Sequence, residues 1–146
     1  MLYSHGRLYK LPNYVQKFNN GYVHTIMNAS DELQGGNVVE VPDYNEWYAR
    51  AYYDGTNFMG LELTTDNNGQ VALNTPLNVT VQWADISGQT AARDCTVTIK
   101  CGELTEQIAV VGGVGSTSFQ SAEPGEFSLE TISLEGCRAV GKVIVG

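Results

Sequence analysis

Basic side chains, histidines and long apolar runs are all scarce in this chain, and each shortage excludes something. Among 146 residues only eight are Lys or Arg, against sixteen Asp or Glu, for a net charge of -8. The imbalance is even: residues 1–72 carry four basic and eight acidic side chains, and residues 73–146 carry the same four and eight. Nucleic-acid surfaces neutralise phosphates with clustered Lys and Arg, and no such cluster exists, so no nucleic-acid partner is expected. The acidity is expected instead to keep the surface soluble and to repel DNA. No run nears the roughly 18 apolar residues of a membrane span, so no membrane partner is expected. The opening Met1-Leu-Tyr-Ser-His-Gly-Arg7 lacks the apolar stretch of a secretory signal, which implies synthesis in a cytoplasm.

Catalytic vocabulary is equally thin. The two histidines, His5 and His24, fall in a Gly-flanked segment and in an expected strand, with no Ser/His/Asp or Cys/His arrangement around them. No Gly-x-Ser-x-Gly occurs. Gly112-Gly-Val-Gly-Ser116 is similar in spelling to a phosphate loop, but no Lys and no helix follow it, so it reads as a connection between strands. The three cysteines, Cys95, Cys101 and Cys137, show no Cys-x-x-Cys spacing and are too few for a four-cysteine zinc site. Cys95 and Cys101 lie on one expected strand, about 20 Å apart if extended, too far to bridge each other. They read as buried free thiols, with a bridge from Cys137 to one of them as the alternative. Asp85, Asp94 and Glu103 would meet around a Ca²⁺ if their loops gathered at one end of the fold; solvated loop carboxylates are the preferred reading. No cofactor, no metal and no enzymatic activity are expected.

Alternation of apolar and polar residues is abundant. Val79, Val81 and Trp83 share one face of 78–83, and Cys95, Val97, Ile99 and Cys101 share one face of 95–101. Glu106–Val111 follows and ends at Gly112-Gly113. Period-two patterns rich in β-branched residues predict strands half-buried against a second layer. These three segments are read as one sheet, partnered by a 47–63 hairpin that turns at Asp54-Gly55 and by strands within 127–145, where Phe127 and Leu129 face inward. Trp47–Tyr53 also fits a helical period, but the Asp-Gly turn favours a strand. Seven or eight short strands, with turn signals every ~8–12 residues, predict an all-β sandwich with no helix of ordinary length.

Ahead of the sandwich, residues 1–42 are irregular and aromatic. Tyr3, Tyr9, Tyr14, Phe18 and Tyr22 alternate with Arg7, Lys10 and Lys17, and Asn19-Asn20-Gly21 marks a turn before an expected strand at 22–27. Ser30-Asp-Glu could begin a single helical turn, Gly35-Gly36 precedes a short strand, and Pro42-Asp43 marks a break. The domain reading is therefore a docking segment at 1–42 and a sandwich at 43–146, with the boundary somewhere in 42–72. A tyrosine-rich segment without its own core must pack on something, and such surface is typical of interface cores. Any single tyrosine among them can equally serve its own chain.

Two stretches carry a resemblance. Leu63-Thr-Thr-Asp-Asn-Asn-Gly-Gln-Val71 is similar to the Thr-Asp-x-x-Gly turn of invasin-type repeats. Val79-Thr-Val-Gln-Trp-Ala-Asp-Ile-Ser-Gly88, with Pro124-Gly-Glu-Phe-Ser-Leu129, resembles the strand, Asp-x-x-Gly and Pro-Gly-Glu-aromatic progression of bacterial and phage immunoglobulin-like domains. The likeness covers residues 56–146, in a single copy. Ser30-Asp-Glu-Leu-Gln-Gly-Gly-Asn-Val-Val39 resembles the opening of head decoration proteins of tailed bacteriophages, with Gly35-Gly36-Asn37 in place of their Asn-Gly. The resemblance implies an immunoglobulin-like β-sandwich with an extended N-terminal docking segment, acting as a virion protein that decorates or cements a capsid exterior. It implies major capsid protein or another virion protein as partner, possible self-association, and docking through Tyr3, Arg7, Tyr9, Lys10, Tyr14, Lys17, Phe18 and Tyr22. Two other readings stay open: an adhesin or carbohydrate-binding module using Trp47 or Trp83, and a phage tail or baseplate component.

Overall fold

The computed structural model describes residues 2–4, 7–9, 13–28, 37–132 and 138–146, the first two stretches as backbone only. Lys10, His5, the expected helical turn at Ser30-Asp-Glu, Gly35-Gly36 and Cys137 lie outside the described residues. The chain divides into two compact units, Met1–Phe58 and Met59–Gly146. The division falls beyond Pro42, inside the 42–72 interval.

In the first unit, β1 (Leu2–Ser4) and β2 (Arg7–Tyr9) form an antiparallel ladder, Leu2 opposite Tyr9 and Ser4 opposite Arg7. A three-stranded antiparallel sheet follows, with β3 (Asn13–Lys17) between β4 (Val23–Asn28) and β5 (Val38–Val41). The Asn19-Asn20-Gly21 turn forms as expected. Phe18 N–H donates to the Tyr22 carbonyl, and Tyr22 N–H donates to Asn20 Oδ1. Val15, Val23, Val41 and Tyr48 make the core, with Ile26, Val39, Trp47 and Phe58 packed around it.

Residues 47–53 correct the expected hairpin arm. Glu46–Arg50 is a 3₁₀ helix, and only β6 (Tyr52–Tyr53) is extended before the turn. The reason is local. Asn45 caps the helix by accepting from Trp47 N–H at 2.9 Å, and Ala51 N–H closes the last turn on the Tyr48 carbonyl. One helical turn points Tyr48 into the core, where its ring meets Phe58 edge-on at 5.1 Å. The turn at 54–57 is present, with Asp54 Oδ1 accepting from Thr56 and Asn57 N–H at 2.8 and 2.7 Å.

The second unit is an all-β, immunoglobulin-like sandwich. One sheet runs β12 (Val114–Phe119), β9 (Leu77–Ala84), β7 (Phe58–Thr65). The other runs β11 (Leu104–Val110), β10 (Cys95–Cys101), β13 (Gly125–Ile132), β14 (Val140–Val145), β8 (Gln70–Val71). Every pairing is antiparallel except β14 with β8. This corrects the single-sheet reading of 78–113. β9 belongs to one layer and β10–β11 to the other, and the C-terminal strands share the β10 layer rather than opposing it. Period two identifies which face of a strand is buried, but not which sheet holds the strand.

The buried faces are those the alternation predicts. Val79, Val81, Trp83, Val97 and Ile99 are each 0% exposed. The chain crosses between layers at the β11–β12 hairpin, where glycine is required twice. Gly113 has φ +89°, and a Cβ there would lie 2.1 Å from the Ala91 carbonyl oxygen; at Gly115 it would lie 2.7 Å from Ile108 Cγ2. Glycine lets β11 close over the edge of the opposite sheet. Thr131 is the one buried polar side chain among the described residues of the core, and its Oγ1 accepts from Ala139 N–H at 2.9 Å. Replacing it with the isosteric Thr131→Val should leave that buried N–H without an acceptor and cost about 1–3 kcal/mol in denaturant unfolding. Ile99→Ala, which opens a cavity between the sheets, should cost about 2–5 kcal/mol.

Candidate functional site

The eight residues expected to dock a partner separate by environment. Tyr14 and Tyr22 are 3% and 8% exposed, so the chain itself buries them, and they are removed from the docking set. Tyr14 lies on central strand β3 opposite Met27 and Glu40, and Tyr22 packs on Tyr52 at 5.0 Å. Phe18 is 44% exposed, with its ring 4.8 Å from that of exposed His24. Lys17 is half-buried, and its Nζ donates to Asn37 Oδ1 at 3.3 Å. Phe18 and Lys17 are therefore brought together at the end of β3. Tyr3, Arg7 and Tyr9 sit on the β1–β2 ladder, and Lys10 is outside the described residues. Trp47 and Tyr48 stand on the 3₁₀ turn, and Tyr53 stacks on Phe58 at 4.5 Å.

Trp83 is fully buried; its Nε1–H donates to Cys95 Sγ at 3.3 Å, and the Arg93 guanidinium lies 4.5 Å from the ring centroid. It is a core residue rather than an exposed ring on which a sugar could stack. Trp47 is half-buried, edge-on to Tyr48 at 5.3 Å.

The three acidic residues weighed for Ca²⁺ do not converge. Asp94 precedes β10 and Glu103 follows it, so a whole strand, about 20 Å, separates them. Asp94 Oδ1 accepts from Gly112 N–H at 2.7 Å and pins the crossing hairpin. Asp85 closes its own loop, accepting from Ser87 Oγ at 2.6 Å, Ser87 N–H at 2.9 Å and Gln89 N–H at 3.0 Å. Among the described residues, no three His, Cys, Asp or Glu side chains stand close enough to share a metal ion. Cys95 and Cys101 are free thiols, and burial pushes the Cys101 thiol above its ordinary pKa. Among the described residues no helix is long and apolar enough to cross a membrane.

No family model and no curated protein matches the chain. Solved structures similar to it include the CARDB domain of a Pyrococcus furiosus protein in complex with di-metal ions, at TM-score 0.42 and 12% identity, covering 60% of this chain and 91% of that one. The solution structure of the same domain matches at TM-score 0.43 and 11% identity, covering 60% of this chain and 93% of that one. The PKD domain of an M14-like peptidase from a Thermoplasmatales archaeon matches at TM-score 0.42 and 16% identity, covering 62% of this chain and 98% of that one.

The Asp85 carboxyl is held below the usual carboxylate range, first by the Ser87 hydroxyl and then by Gln89 N–H. A depressed pKa adds stability above the unfolded value, about 3.9, and that stability is lost as pH falls through the folded value. Asp85→Asn should therefore lower Tm at pH 7, and the gap from wild type should close below about pH 4 in a thermal series. A gap that stays constant down to pH 2 would show that the charge contributes nothing.

Proposed function

We propose that this chain is a non-catalytic virion structural protein that decorates or cements a bacteriophage capsid exterior, held there by its first unit. The observation that carries this reading is a folded unit at 1–58, distinct from the sandwich, that exposes an aromatic pair, Phe18 and His24, at the end of its central strand. A unit of about 60 residues buries little apolar surface alone, and a lone two-stranded ladder such as β1–β2 is marginal in water. Both features favour a partner surface. The decoration-protein resemblance at 30–39 and the net charge of -8, suited to a surface away from packaged DNA, agree with it. The docking set becomes Tyr3, Arg7, Tyr9, Lys10, Lys17 and Phe18, with major capsid protein or another virion protein as partner. The burial of Trp83 counts against the carbohydrate-binding alternative.

The test uses particles from the cells that make the protein. The full chain should sediment with DNA-filled heads, in a fixed ratio to the shell subunit. Deleting residues 1–12, which spares β3, and separately substituting Phe18→Asp should each strip the protein from particles while the sandwich keeps its unfolding transition. Unchanged occupancy in both variants would refute docking through this unit, and absence from purified particles would refute the virion reading.

A further inference from the structure

One end of the sandwich is not filled. Between the β10–β11 turn, the end of β12 and the start of β13 lies a cavity of about 350 Å³ that opens to solvent. The walls are Val71, Cys101, Phe119, Phe127, Val143 and Val145; exposed Glu103, Leu104, Gln120 and Ala122 stand at the mouth. Phe127 is set against the β10–β11 turn: Gly102 there has φ +58°, and a Cβ on it would lie 2.9 Å from the ring. Leu104, the first residue of β11, is 54% exposed instead of reaching inward. An apolar cavity of about 150 Å³ takes up benzene, so this one has room for a molecule of about twice that size.

Chemistry selects the ligand. The walls offer apolar and aromatic surface, and Glu103 is the one charged side chain among the lining residues. A pocket of apolar walls with few polar groups is the usual form of a small-molecule site. We propose that this cavity is a binding site for a small aryl- or alkyl-ammonium compound, its apolar body between Phe119 and Phe127 and its charge toward Glu103.

Cys101, 6% exposed on the wall, supplies a readout at the site itself. The full chain would be alkylated with N-ethylmaleimide, with modification of Cys101 and Cys95 followed separately by peptide mass spectrometry, in the presence of 2-phenylethylamine or of phenylacetate. The amine should slow Cys101 alkylation and leave Cys95 unaffected. It should act at about fivefold lower concentration than the acid, the size that an exposed ion pair allows. Glu103→Gln, at an exposed turn, should abolish that preference while the amine still protects. Absence of protection at any concentration would overturn the proposal. So would equal protection by amine and acid, or equal slowing at Cys95, which would mark a general effect on the fold.

Discussion

Trp83 holds the sandwich together at the point where its two layers are covalently closest. Its strand lies in one sheet, its indole N–H reaches Cys95 at the start of a strand in the other, and its backbone N–H donates to the Gly113 carbonyl at the hairpin that joins them. One residue, through its backbone and its side chain, thus joins the crossing from β11 to β12 with the packing between layers. Arg93 lays its guanidinium over the ring from the loop, with Nη1 itself buried. Gly113 and Gly115 are the other half of this constraint, because a Cβ at Gly113 would strike the Ala91 carbonyl of the β9–β10 loop and one at Gly115 would strike Ile108 and Ala109 of β11. The cavity lies around the opposite end of β10, near Cys101.

The first unit works on a smaller scale. Its main core cluster is Val15, Val23, Val41 and Tyr48, with Ile26, Val39, Trp47 and Phe58 packed against it, and the 3₁₀ turn at Glu46–Arg50 contributes Tyr48. Asp43 and burial together raise the Tyr48 hydroxyl pKa, burial first, as expected for a ring inside and a phenol near the edge. A unit with so little interior uses most of its aromatics on itself. Phe18 is the exception among the described side chains that were expected to dock, and that exposure is the reason the functional reading rests there.

Much of the architecture was readable from residue order alone. Alternation identified the inward faces of β9, β10 and β13, down to Trp83, Ile99 and Leu129. Turn residues located Asn19–Gly21, Asp54–Gly55 and Gly112–Gly113. Side-chain period is a local property, imposed by the pleat, so it survives in the sequence. The 3₁₀ helix at 46–50 was harder, because Trp47–Tyr53 satisfies both periods and the deciding group is one side chain, Asn45, outside the pattern. The docking residues divided in the same way. Composition marks tyrosines as interface material, but whether Tyr14 faces its own chain or a partner depends on contacts distant in sequence.

By itself the sequence determined an all-β fold, the inward faces of β9, β10 and β13, its turns, and its scarcity of basic side chains. Those follow from backbone sterics, side-chain alternation and net charge, all of which act within a few residues or over the whole composition. Tertiary structure alone decided that β9 and β10 lie in opposite layers, that Tyr14 and Tyr22 are interior while Phe18 is not, and that a cavity remains beside Cys101. Each depends on which distant segments come to share a surface, and that is settled by packing rather than by pattern.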